Sequence, residues 1–387
     1  MGSIHPSGSR RTVGIEEELF LVDPNTGLPV AAIEPILRRS DFADEHQQDP
    51  TTGSLLPIIE REAKAEQIEL VSPPSDDMQR IEALVFAGRQ LADEAAQEVG
   101  ARAVALATSV LPVTSHAASD PRYHRMQERF GMTFREQLTC GLHVHVSVAD
   151  DEEGVAVLDR IRPWLPVLHA LSTNSPFWQG RDTDFGSFRY QAWGRWPTAG
   201  AYDHFGNARA YHQGVQDLVE SGVLLDPGMI YFDARLSRNN PTVELRMADV
   251  CLDPSHVPTL AALVRALVDT AAEEWRTAQP IIPVPTAMLR AAMWTASRFG
   301  IEDDLVDLHL GRPVRARDAV AALLDHVSDA LEANGDRDRV VTGLDRIFSD
   351  GTGARQQREA YARTRSLSAV VQDAIAISNR RAVGALV

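Results

Sequence analysis

Glu16 and Glu18 stand two apart in the run RTVGIEEELFLV, from Arg11 to Val22. A β-strand turns successive side chains to opposite faces, so the two carboxylates share a face while Ile15, Leu19 and Leu21 take the other. Adjacent carboxylates in an otherwise apolar stretch repel each other and are costly to bury unpaired. A divalent cation removes that cost. Three later segments repeat the arrangement. In EQIELVS (66–72), Gln67 and Glu69 oppose Ile68 and Leu70. In CGLHVHVSV (140–148), Gly141, His143, His145 and Ser147 oppose Cys140, Leu142, Val144, Val146 and Val148. In PTVELRM (241–247), Thr242, Glu244 and Arg246 oppose Val243, Leu245 and Met247. If the four strands belong to one sheet, their polar faces pool Glu16, Glu18, Glu69, His143, His145, Glu244 and Arg246. Such an oxygen-rich set suits Mg²⁺ or Mn²⁺, and Mg²⁺ typically brings substrate phosphates with it.

Each constellation alone is weak. A three-glutamate run is usually a solvated face, His-x-His occurs by chance or in cores, and Glu244 with Arg246 resembles an exposed pair. Four segments with the same polarity split carry the inference together. Glu17, on the opposite face, reads as a structural or rim residue.

The elements that must position these residues are strands at 12–22, 55–61, 66–71, 102–108 and 138–149, and helices over 76–98 and roughly 152–172. A Gly-, Pro- and aromatic-rich stretch from Asn174 to Gly200 has no periodicity. Long loops of this kind in compact domains tend to be functional. Helix 207–221 and strands near 229–236 and 242–248 come next. From Ser255 the pattern is almost wholly helical, at 256–277, 286–299, 315–333, 336–349 and 353–380. Residues 1–11 read as a disordered leader. The remainder, 12–387, reads as one α+β domain, sheet-rich over 12–254 and helical over 255–387.

Composition narrows the chemistry. The chain has 387 residues, 44% hydrophobic and 24% charged, ample for a core. A net charge of −16 argues against nucleic-acid or anionic-membrane partners. Cys140 and Cys251 form neither a metal-type pair nor a disulfide framework, which fits the cytoplasm. No apolar run is long enough to span a bilayer. Lys64 is the only lysine. The chain therefore has no phosphate-binding Gly-Lys-Ser/Thr loop and no kinase-type strand lysine, so metals and arginines must hold any nucleotide phosphates.

The segments GIEEEL, IELVSP, GLHVHVS, NSPFWQGRDT and VELR resemble the glutamate–cysteine ligase type 2 family, and more narrowly its bacterial carboxylate–amine ligase subgroup. The match runs in order from about residue 12 to residue 254. Asp184 departs from the glycine expected in Arg-Asp-Thr-Gly, which bears on substrate identity more than on reaction type. The resemblance implies a glutamine synthetase-like curved antiparallel sheet, a half-funnel flanked by helices. It implies that Glu18 and Glu69 bind one metal, Glu16, His143 and Glu244 a second, and that His145 and Arg246 contact ATP phosphates as the catalytic pair.

The expected activity is an ATP-dependent carbon–nitrogen ligase that forms an amide through an acyl phosphate, with ATP and Mg²⁺ or Mn²⁺ as cofactors. Glutamate plus cysteine is the family's namesake reaction, and the resemblance leaves both substrates open. Arg181, Arg189 and Arg195 are candidates for the substrate carboxylate, because a guanidinium binds carboxylate bidentately. Phe177, Trp178, Tyr190, Trp193 and Trp196 are candidates for walls of the amine pocket. Family analogy and the helical tail suggest a homodimer. Two rivals remain: a His/Glu-ligated metal-dependent hydrolase, and a degenerate member that binds nucleotide without turnover.

Overall fold

The computed structural model describes residues 10–39 and 55–381. Eleven strands are present among them: β1 (Val13–Val22), β2 (Ile58–Glu60), β3 (Gln67–Val71), β4 (Arg102–Val104), β5 (Gly141–Ser147), β6 (Phe177–Trp178), β7 (Arg181–Asp182), β8 (Ala234–Leu236), β9 (Thr242–Asp249), β10 (Asp304–Asp307) and β11 (Arg312–Arg315). The four strands inferred from the polarity split are β1, β3, β5 and β9, and they do share one sheet. Its order is β2-β3-β1-β5-β9-β8, with β4 on the end of β1, and every pairing is antiparallel.

The alternation has the expected consequence. Ile15, Leu142, Val144, Val146, Val243, Leu245 and Met247 all turn into one core. Helices Met78–Gln97, Asp151–Ile161 and Val257–Arg276 close that core from outside. Each such side chain removed from water stabilises by roughly 1.5–3 kcal/mol. Asp77 caps the first of these helices by accepting from the Gln79 N–H, and Asp150 caps the second through Glu153 N–H. Glu17 is the exception on the apolar face. It is buried in a bidentate pair with Arg89, 2.6 Å at the shorter contact, so it is structural. The end of β1, Leu19 to Val22, is buried on both faces because a second core covers it.

Several boundaries differ from the expectation. The stretch 152–172 breaks at Arg162–Trp164, a 3₁₀ turn, because Pro163 lacks an N–H to continue the α-helix. The run 353–380 is two helices, Gly353–Thr364 and Leu367–Ser378, parted where Arg365 turns left-handed at φ 53°. The span 315–333 likewise divides at Val327. The C-terminal part is not wholly helical: β10 and β11 form an antiparallel hairpin within it. Short helices Ile33–Arg39, Pro121–Phe130 and Met132–Glu136 had no expectation at all. Of the expected leader, residues 1–9 lie outside the described residues. Arg11 is buried and bonded to Glu153 (2.6 Å) and Asp269 (2.8 Å).

The aperiodic stretch 174–200 is pinned by a buried carboxylate at the end of β9. Asp249 accepts from Asn174 N–H (2.8 Å), Ser175 Oγ (2.7 Å) and Ser187 Oγ (2.8 Å). From that anchor it makes the β6–β7 hairpin and the helix Phe188–Trp193.

Candidate active site

Register assembles the polar face. Glu18 stands opposite Glu69, Glu16 opposite His143, and His145 opposite Glu244. The five strands β3, β1, β5, β9 and β8 therefore carry one continuous row of ionisable groups. Glu16 is its hub: its two oxygens lie 3.1 Å from His143 Nδ1 and 3.1 Å from His145 Nε2. His143 also lies 3.9 Å from Glu18 and 4.0 Å from Glu244. Glu18 accepts the Gly141 N–H at 2.6 Å, which fixes it against β5.

Three groups place a ligand atom from each member within 4.8 Å of the others: Glu18 with Glu62 and Glu69, Glu16 with Glu69 and His143, and Glu16 with His145 and Glu244. All five expected metal ligands are thus brought together. Three details differ from the expected grouping: Glu62 joins Glu18 and Glu69, Glu69 also meets Glu16 and His143, and His145 stands with Glu16 and Glu244. Glu62 sits in the turn between β2 and β3, where the period-two argument does not apply, so the strand pattern carried no signal for it.

The two ends of the row differ electrostatically. Glu244 is held by Arg235 at 2.7 Å and by Arg246, and these guanidinium groups outweigh burial to keep its carboxyl well below the usual range. Burial likewise opposes ionisation of Glu16, but its hydrogen bonds to His143 and His145 hold it low. His145 is raised because contact with Glu16 outweighs its burial. At the other end, no arginine or lysine nitrogen among the described residues lies within 4 Å of Glu18, Glu62 or Glu69. Burial, with Glu18 next, pushes Glu62 up to about 8. Burial, then Glu62, Glu16 and Glu18, raises Glu69 well above its ordinary value. Carboxylates so arranged fit a divalent cation: the donors are hard, anionic and short of positive charge.

Glu16, Glu18, Glu62, Glu69 and His143 form the floor of a cavity of about 240 Å³, whose walls include Lys64, Arg122, Tyr123, Phe134, Trp193, Trp196, Tyr231 and Arg235. Arg235 alternates on β8 with buried Ala234 and Leu236, so the polarity split that revealed the other strands also applies to it. Lys64 is here too, although the sequence offered it no role. Its ammonium lies 4.2 Å from the centroid of the Phe134 ring, and burial lowers it to about 8.

The expected substrate residues fall elsewhere. Arg181 is exposed in the β6–β7 hairpin, and Trp178 opposite it packs on Phe188. Arg195 pairs with Glu136 at 2.5 Å and borders a second cavity. Arg189, only 2% exposed, donates to the carbonyls of Met247 (3.3 Å) and Arg246 (3.4 Å). It fills the space above Gly141, where a Cβ would come within 2.2 Å of Nη2. Its place is behind the row, supporting the backbone of β5 and β9. Of the loop aromatics, Trp193 and Trp196 reach the cavity. Asp184 takes φ 63°, a left-handed conformation that glycine favours and aspartate tolerates, at an exposed site.

A sheet with metal-type ligands on one face and helices behind the other defines a glutamine synthetase-like ligase fold. Known structures share it: the glutamate–cysteine ligase of Francisella tularensis, solved in complex with AMP, superposes with a TM-score of 0.65 at 14% identity, covering 96% of this chain and 88% of that one. A bifunctional glutathione synthetase from Pasteurella multocida gives 0.67 at 13% identity, over 95% of this chain and 53% of that one. The sequence profile of glutamate–cysteine ligase family 2 matches residues 12–376, and the chain belongs to that family. Similar chains include a Streptomyces coelicolor protein provisionally named glutamate–cysteine ligase 2, 48% identical over 93% of this chain and 97% of its own. A Paenarthrobacter aurescens protein provisionally named glutamate–cysteine ligase 2-1 is 50% identical over 95% and 94%. The chain is an enzyme of the carbon–nitrogen ligase class.

Proposed function

We propose that this ligase uses ATP to phosphorylate the side-chain carboxylate of a glutamate-like donor and passes the acyl group to an amine. The observation that carries this reading is the row itself, short of positive charge at Glu18, Glu62 and Glu69 and rich in guanidinium at Glu244. A carboxylate does not condense with an amine at neutral pH, because oxide is too poor a leaving group. In the first step a donor oxygen attacks the γ-phosphorus, the bond to the β-phosphate oxygen breaks, and ADP leaves. In the second, the amine lone pair attacks the acyl carbon, the bond to the phosphate oxygen breaks, and phosphate leaves with a proton released.

The first step depends on in-line positioning and on neutralising the transferred group's oxygens, and the second on stabilising the oxyanion that forms at the acyl carbon. Glu18, Glu62 and Glu69 would hold one divalent cation and Glu16, His143 and Glu244 a second. Mg²⁺ or Mn²⁺ there supplies charge neutralisation to the phosphates. Arg246 and Arg235, kept rigid by Glu244, face the same cavity with donors to spare. His145, favouring its cation beside Glu16, adds positive charge at that end. A preorganised donor of this kind is worth roughly 3–4 kcal/mol of transition-state stabilisation. We further propose a cytoplasmic homodimer, which light scattering on the purified protein tests. No described helix is long and apolar enough to cross a membrane.

The deciding assay is ADP release from ATP and Mg²⁺ with glutamate and a panel of amines that includes cysteine. Amine-dependent ADP with a matching amide supports the reading and names the substrates. Mg-ATP binding with no turnover across the panel marks a degenerate protein. Tight stoichiometric zinc without ATP binding returns the hydrolase, for which the site offers no separate support.

A further inference from the structure

Four arginine and lysine side chains line the cavity, and three of them contact a carboxylate. Arg122 pairs with Asp226 at 2.7 Å, Arg235 with Glu244 at 2.7 Å, and Arg246 with the same Glu244. Lys64 is the fourth. Among the described residues no carboxylate oxygen comes within 4 Å of its ammonium, whose hydrogen-bond partner is the neutral Ser115 hydroxyl at 2.9 Å. Glu66, two residues on, acts on the ammonium only through space, and its contacts are elsewhere: it accepts from the His116 N–H at 3.1 Å and lies 2.6 Å from His116 Nδ1. An ammonium has three donors, so Lys64 keeps two in reserve on a side chain that is 2% exposed. A buried cation with no carboxylate in contact is costly, and an arriving anion offsets the cost.

The position of Lys64 says which anion. It stands in the turn between β2 and β3, whereas Arg235 and Arg246 stand on β8 and β9. Strands β1 and β5, which carry Glu16, Glu18, His143 and His145, lie between the two. Phosphates gathered at Arg235, Arg246 and His145 are therefore at the opposite side of the row from Lys64. Phe134 beside it and Met126 on the wall of the same cavity offer apolar surface for a short carbon chain.

We propose that Lys64 receives the unreacted carboxylate of the donor substrate and so makes the enzyme selective for dicarboxylic amino acids of the glutamate class. The assignment rests on the ligase reading above and adds the residue that chooses the donor. Lys64 is a specificity residue and takes no part in phosphoryl transfer.

The test compares glutamate with 4-aminobutyrate, which retains the reacting carboxylate and lacks the other. The wild-type enzyme is expected to favour glutamate by roughly 10–100-fold in kcat/KM, the range of a charge-assisted hydrogen bond. Lys64→Met keeps the aliphatic stem over Phe134 and removes the charge. It should raise KM for glutamate by a similar factor, leave kcat and KM for ATP within about twofold, and erase the preference. Lys64→Arg should restore most of it. A preference that survives in Lys64→Met overturns the proposal. So does a rise confined to KM for ATP, which would make Lys64 a phosphate ligand, or to KM for the amine. If no donor turns over, the ligase reading fails separately, and thermal-shift binding of glutamate with Mg²⁺ decides for Lys64. A glutamate-dependent shift present in wild type and absent in Lys64→Met supports the proposal; no shift in wild type, or an equal shift in both, overturns it.

Discussion

The two ends of the polar row hold the same functional group in opposite electrostatic states. Glu244 sits between two guanidinium groups and is ionised without help. Glu62 and Glu69 sit among other carboxylates and are driven toward their protonated forms. At one end the fold itself supplies the compensating charge; at the other, among the described residues, no guanidinium or ammonium lies within 4 Å of the carboxylates. The difference teaches that burial of a carboxylate is not itself a signature of function; what matters is whether the protein supplies the compensating charge.

The largest effect expected from breaking this contrast is on turnover. Glu18→Gln and Glu69→Gln should each lower ATP turnover by at least about 10³-fold, of the order lost when a key stabilising group goes. Circular dichroism should be unchanged. Wild-type-like turnover in either variant removes that residue from the metal site.

Stability should separate the ends by sign. Glu244→Gln leaves Arg235 and Arg246 buried with less compensation and should cost roughly 3–5 kcal/mol, while Glu69→Gln relieves repulsion in the metal-free protein. Urea melts of the two variants without metal check this; equal losses would erase the contrast. Glu17→Gln, on the core face with Arg89, should also cost about 3–5 kcal/mol.

The pH response should diverge as well. Glu62 binds its proton more tightly folded than unfolded, so without metal its contribution is fully present below about 4.5 and is lost as pH rises through about 8. Glu244 behaves oppositely: its contribution is present above 4.5 and disappears as pH falls toward its lowered folded value. Thermal melts from pH 5 to 9 with chelator should therefore decline toward the alkaline side, by on the order of 2 kcal/mol, and Mg²⁺ should restore most at pH 8–9. A Mg²⁺ effect that is flat with pH would contradict this. The smallest effect is at Asp184. Asp184→Gly removes a left-handed non-glycine residue at an exposed site, and stability should move by less than about 1 kcal/mol with turnover within about twofold.

Legibility followed the range of each physical argument. The β1, β3, β5 and β9 faces were readable because strand alternation is local and each segment carried its own polarity split. Glu62 escaped because it lies in a turn, whose side-chain directions come from a closure that involves the neighbouring strands. Arg235 follows the same alternation, between buried Ala234 and Leu236, within the strand expected near 229–236. The loop 174–200 was rightly singled out as unusual, yet its arginines do not line the cavity. Composition identified guanidinium groups but not their partners, and Arg195 and Arg189 are claimed by Glu136 and by the β9 backbone.

The sequence by itself determined which residues share a strand face, because that depends only on the alternation of a pleated chain. It also determined that side-chain positive charge must come almost entirely from arginine, since Lys64 stands alone. Tertiary structure decided the rest. Strand order set which carboxylates meet a guanidinium and which meet one another. The β2–β3 turn then put Glu62 among the metal-type ligands and Lys64 on the cavity wall, two outcomes that depend on distances between segments and that no local pattern encodes.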